Sequence, residues 1–178
     1  MIRYAVLLRG INVGRAKRIG MGPLRQALTA RGYAGVRTLL QSGNVVLDSD
    51  REPGELGADV EALIRSDFGF DVPVVVRTAP ELAAVLAADP LAGVATDPAR
   101  YLVTFLPEEP DPALVAALPE PGPAEGEYRL AGRELYLWLP DGVLRTPVGA
   151  WRWDRLLGMT GTARNWNTVR ALTELTTG

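Results

Sequence analysis

The residues best placed to do chemistry are cations set among glycines near the N-terminus. Gly10-Ile11-Asn12-Val13-Gly14-Arg15-Ala16-Lys17-Arg18-Ile19-Gly20 follows an apolar run and precedes a helical pattern. Backbone N–H groups at a helix start favour an anion, and nearby cationic side chains reinforce them. The expected ligand is therefore an anionic small molecule, phosphorylated or nucleotide-like. Its predicted ligands here are Arg9, Asn12, Gly14, Lys17 and Arg18. The stretch is not a Walker loop, because the glycine spacing and the GK[ST] ending are missing. It does not fit the dinucleotide fingerprint either, since the chain runs on into a hairpin. A purely structural turn is the competing reading.

Two further stretches could extend such a site. Ser42-Gly43-Asn44 is a turn signal in which glycine takes positive φ and Ser and Asn bond their own main chain. If the neighbouring strands share a sheet, Arg9, Gln41 and Asn44 line a common face; Ser42 and Asn44 join the predicted ligands. Arg164-Asn165-Trp166-Asn167-Thr168 opens the last helical pattern. Asn165 suits an N-cap and Trp166 a core anchor. The functional reading sends Arg164 and Asn167 to the site of the first loop. Trp151-Arg152-Trp153-Asp154-Arg155 is either an aromatic-basic patch or one core Trp beside one rim Trp.

What the sequence lacks narrows the chemistry. With no histidine and no cysteine, Ser-His-Asp and Cys-His mechanisms, disulfides and thiolate-bound zinc are excluded. Asp48, Asp50 and Glu52 cluster, but Arg51 and Pro53 beside them suit a solvated loop. No metal and no cofactor is expected, and no catalytic residue is assigned.

Charge is unevenly spread. Residues 1–47 hold eight cations (Arg3, Arg9, Arg15, Lys17, Arg18, Arg25, Arg31 and Arg37) and no acid. The rest holds 11 basic and 21 acidic residues, so a net charge of −2 divides into +8 and −10. Such asymmetry suggests an anion-binding face, unless the acidic remainder folds against it. No apolar run approaches membrane-spanning length, and no secretory signal opens the chain, so a cytoplasmic protein without membrane contact is expected.

The elements that must position these residues follow from periodicity. Residues 2–9 read as a buried strand. Met21, Leu24 and Leu28 mark a helix ending near Gly32. Residues 36–41 and 45–47 form a hairpin, a helix starts at Pro53, and Val72 to Arg77 is a strand. The order β-α-β-β-α-β is the ferredoxin-like arrangement. Residues 1–79 are thus expected as a ferredoxin-like α+β subdomain. Residues 80–178 are expected as a smaller second α+β subdomain with closing helices. In it, Pro80–Ala88 is helical, Tyr101–Leu106 is a strand, and Asp111-Pro112 opens a short helix. A second hairpin turns at 131–133, and helices fall near 148–157 and 165–176. The two could be divergent ferredoxin-like halves.

Leu7-Leu8-Arg9-Gly10-Ile11-Asn12-Val13-Gly14, Gln41-Ser42-Gly43-Asn44-Val45-Val46 and Thr162-Ala163-Arg164-Asn165-Trp166-Asn167-Thr168-Val169, in this order, resemble the bacterial family called domain of unknown function 1697. The resemblance covers essentially the whole chain. It implies an α+β fold of two subdomains and implies no activity. Members usually carry a second glycine and a proline in the first loop, which residues 14–20 lack. Thr146-Pro147 stands where a small hydroxyl residue and a lysine are usual. Besides an anion-binding module, three readings stay open: a single-stranded RNA binder, a transferase without His or Cys, and a structural or interaction protein. The RNA reading is not favoured, because Tyr4 is the only aromatic on the strands that would stack bases.

Overall fold

A computed structural model describes all 178 residues. The chain divides into two compact units, residues 1–83 with 172–178, and residues 84–171.

The first unit holds β1 (Ile2–Leu8), α1 (Met21–Ala30), β2 (Ala34–Leu39), β3 (Asn44–Ser49), α2 (Pro53–Phe68) and β4 (Val74–Thr78). Its antiparallel sheet has the order β2-β3-β1-β4, the ferredoxin-like order. Strand alternation puts Tyr4, Val6 and Leu8 on one face. There they pack with Leu24 and Leu28 of α1 and Leu56, Val60, Leu63 and Ile64 of α2. The other face of β1 is buried as well, since Ala5 and Leu7 are 0% exposed. The edge strand β2 carries a bulge between Ala34 and Arg37, where Gly35 takes φ +60°.

α3 (Ala79–Ala88) follows β4 directly. Thr78 and Glu81 close a capping box at its start: the Glu81 carboxylate accepts from the Thr78 N–H at 2.8 Å, and the Glu81 N–H donates to the Thr78 hydroxyl at 3.3 Å.

The second unit continues with β5 (Tyr101–Phe105), α4 (Pro112–Ala116), β6 (Glu127–Ala131), β7 (Glu134–Trp138), α5 (Pro147–Ala150), α6 (Trp153–Leu157), β8 (Thr162–Asn165) and the start of α7 (Trp166–Thr177), whose end from Leu172 groups with the first unit. Its sheet order is β6-β7-β5-β8. Each strand takes the place its counterpart holds in the first sheet, so the two units are ferredoxin-like in tandem. Leu106, Leu135, Leu137, Leu139, Val148 and Leu157 form the core, with Tyr128, Trp151 and Trp153 packed against it.

Three expectations need correction. The strand β8 lies where only a helix start was expected; its pattern is masked because Arg164, a charged residue, occupies a buried position between Thr162 and Trp166. The helix expected over 148–157 is two helices, because Trp151 is extended (φ −61°, ψ 144°). That break turns Trp151 onto Tyr128, with ring centroids 5.9 Å apart. β4 begins at Val74 rather than Val72, although Val72 is buried in the first core.

A candidate anion site at a strained basic loop

The loop between β1 and α1 is closed by one side chain. Asn12 donates through Nδ2 to the Ile19 carbonyl at 2.8 Å and the Gln41 carbonyl at 2.7 Å. Its Oδ1 accepts from the Ile19 N–H at 2.9 Å. The Asn12 N–H donates to the Lys17 carbonyl at 3.1 Å, closing the intervening residues into a lobe. Lys17 donates through Nζ to the Asp71 carbonyl at 2.8 Å. Arg18 folds back, its Nη1 donating to the carbonyls of Gly14 at 3.2 Å and Asn12 at 3.4 Å. Three of the predicted ligands therefore spend polar groups on shaping the loop.

Arg9 and Arg15 differ. Both are exposed, and neither guanidinium makes a hydrogen bond or ion pair. Arg9 follows the end of β1, where its N–H donates to the Pro73 carbonyl at 3.0 Å. Arg15, a cation of the lobe, is not among the ligands the sequence predicts; its position beside Gly14 is the only signal the sequence carries for it. The nearby Asp71 carboxylate is held by Arg65 at 2.5 Å, so its charge is already paired.

The turn of the β2–β3 hairpin abuts this loop. Gly43 has φ +90°, and a Cβ there would lie 2.7 Å from Ile11 Cδ1 and 2.8 Å from Leu8 Cβ. Its carbonyl accepts from the Leu8 N–H at 2.8 Å. Asn44 is fully buried and donates through Nδ2 to the Leu39 carbonyl at 2.8 Å and to Ser42 Oγ at 3.1 Å. Ser42 and Asn44 thus lock the turn, while Ser42 stays at the surface.

Backbone strain gathers here. Four non-glycine residues have positive φ, and three of them, Asn12 (55°), Lys17 (51°) and Leu40 (61°), belong to this loop and turn. Asn tolerates that region, whereas a bulky leucine costs on the order of 1–3 kcal/mol there. Leu40 is also 57% exposed and Val13 74% exposed. The first unit therefore brings Arg9, Asn12, Gly14, Lys17, Arg18, Ser42 and Asn44 to one end of its sheet.

The remaining two predicted residues lie in the second unit. Arg164 sits in β8 opposite Val103. Its Nη1 donates to Thr162 Oγ1 and to the Ala163 carbonyl, both at 2.8 Å. Burial pushes this guanidinium down from its usual range to about 10. Asn167 is exposed in the first turn of α7. Between them, Asn165 Oδ1 caps that helix by accepting from the Thr168 N–H at 3.0 Å. Trp166 is buried and stacks on Tyr101, with centroids 4.5 Å apart.

These features define a tandem ferredoxin-like α+β protein with a strained, cationic loop at the end of its first strand. The chain belongs to a family of proteins of unknown function, DUF1697, whose profile matches residues 1–136. It is similar in fold to a conserved bacterial protein from Streptococcus pneumoniae, with a TM-score of 0.78 over 98% of both chains at 24% identity. No curated protein matches it. Neither likeness assigns a function. No helix is long and apolar enough to cross a membrane.

Proposed function

We propose that this protein binds a phosphorylated or nucleotide-like small molecule at the loop between β1 and α1. The observation that carries the reading is the coincidence, at one sheet end, of strained non-glycine backbone with Arg9 and Arg15, two exposed guanidinium groups that nothing engages. Strained backbone persists where the surroundings enforce it, and such places cluster at binding sites. Free guanidinium groups fit phosphate oxygens in pairs. Exposed Val13 and Leu40 offer apolar contact beside the charge.

The alternative of RNA stacked on the first sheet is less well supported. Tyr4, Ala5, Val6, Leu7 and Leu8 are all buried, on both faces of β1, which leaves no stacking surface on that strand.

A thermal-shift screen against phosphate, nucleotides and sugar phosphates tests the reading at low and moderate salt. A ligand at a hundred times its dissociation constant should raise the melting temperature by roughly 5–10 °C. Arg9→Ala with Arg15→Ala should abolish that shift and leave the ligand-free melting unchanged. A shift that survives both substitutions would place the ligand elsewhere. Turnover of the stabilising ligand would extend the reading to a transferase-type enzyme.

A further inference from the structure

The second unit has a cleft whose floor is a free sheet edge. It measures about 520 Å³ and runs along residues 126–130, with Val115, Leu118, Pro121 and Pro123 on its other side. β6 pairs only with β7. The register fixes which backbone groups face the cleft. Leu106 N–H donates to the Arg133 carbonyl and Leu139 N–H to the Arg100 carbonyl. The pairs Phe105↔Glu134 and Tyr101↔Trp138 are therefore not bonded directly across β5 and β7. Glu134, Tyr136 and Trp138 instead bond to Ala131, Arg129 and Glu127 of β6. Tyr128 and Leu130 then turn their N–H and C=O groups outward. In agreement, the outward Tyr128 carbonyl accepts from Arg129 Nη1 at 2.7 Å.

This edge lacks the protection seen on β2, where a bulge interrupts the pairing. All five residues of β6 pair in unbroken register. The cleft's surroundings are acidic. From Tyr101 to Tyr128 the chain holds six acids (Glu108, Glu109, Asp111, Glu120, Glu125 and Glu127) and no cation. Of these, Glu120 and Glu127 line the cleft together with Arg129, whose Nη2 donates to the Glu127 carboxylate at 3.4 Å, and the Glu120 charge acts on the Tyr128 phenol, which burial chiefly raises.

We propose that the cleft receives an extended, basic segment of a partner protein, added as a further strand on β6. Main-chain bonds to Tyr128 and Leu130 supply the pairing, the Val115–Pro121 wall takes alternate apolar side chains, and Glu120, joined by Glu127 once Arg129 lets go of it, selects cationic ones. Arg129 guards the edge in the free protein. It must release the Tyr128 carbonyl when the strand enters.

The test is fluorescence anisotropy of the full-length protein with a labelled octapeptide alternating Lys with Val. Two controls accompany it: a Glu-Val peptide, and the Lys-Val peptide N-methylated at alternate backbone amides. The Lys-Val peptide should bind and both controls should fail. Glu120→Lys, at an exposed position, should weaken binding about fivefold, the upper reach of one exposed charge pair. Arg129→Ala should tighten it, an effect with no counterpart if Arg129 merely decorates the surface. Equal binding of the N-methylated peptide would overturn strand addition, and equal binding of the Glu-Val peptide would overturn the charge selection. No binding at millimolar protein would overturn the site.

Discussion

Asn12 decides whether the first loop has a shape at all. Its amide satisfies the carbonyl and N–H of Ile19 and the carbonyl of the distant Gln41. Asn12→Ala should orphan them and cost about 1–3 kcal/mol; a denaturant titration measures the loss. Trp166, buried and stacked on Tyr101, should cost roughly 3–5 kcal/mol on truncation to Ala. A melting temperature close to that of the parent would contradict its core role. Asp59 ties the two helices of the first unit, accepting from Arg31 Nη2 at 2.7 Å and from the Tyr33 hydroxyl at 2.5 Å. The Arg31 hydrogen bond holds the Asp59 carboxyl below its usual range. Its contribution is thus complete above the unfolded value of about 4 and lost as pH falls through the lower folded value. Tyr33 titrates the other way, pushed up to about 12 mainly by burial and then by Asp59. The stability it carries is complete below about 10 and lost as pH rises toward 12. Asp59→Asn should lower the melting temperature at pH 7, and the difference from the parent should vanish in strong acid.

At the scale of elements, the turn between β2 and β3 shows what a sequence reveals and what it hides. Ser42-Gly43-Asn44 announces a turn by composition. That Gly43 must also lie against Leu8 and Ile11 is tertiary information, since it depends on β3 pairing with β1. Gly43→Ala meets both a left-handed φ and contacts under 3.0 Å, so a loss of about 1–3 kcal/mol is expected. Loosening of the Asn12 loop, read as faster amide exchange over residues 10–20, should accompany it. The order of elements in the first unit was legible because its apolar periods are clean. β8 was not legible, because a four-residue strand holding Thr162 and a buried Arg164 has no apolar alternation to read. The candidate site was half legible. Type and spacing located the basic loop, but only geometry separates Arg9 and Arg15 from Asn12, Lys17 and Arg18, whose polar groups the loop consumes.

For the whole molecule, each unit's sheet is complete with its own four strands, yet the chain does not part cleanly in sequence. Residues 172–178, the end of α7, group with residues 1–83. Leu172 is fully buried and Thr176 nearly so, and the Thr176 hydroxyl donates to the Leu172 carbonyl at 3.0 Å. Removing Leu172–Gly178 deletes an apolar side chain whose loss alone is worth about 2–5 kcal/mol. The cost should fall on the first unit, although the cut lies at the other end of the chain. Every tryptophan (Trp138, Trp151, Trp153 and Trp166) lies in residues 84–171, so the tryptophan probes all sit in the second unit. After truncation, amide exchange should quicken across residues 1–83, while tryptophan emission keeps its native maximum until higher denaturant. Exchange that quickened only near residue 171 would show that the final turns of α7 contribute nothing to the first unit. A simultaneous loss of both signals would mean that the two units unfold as one.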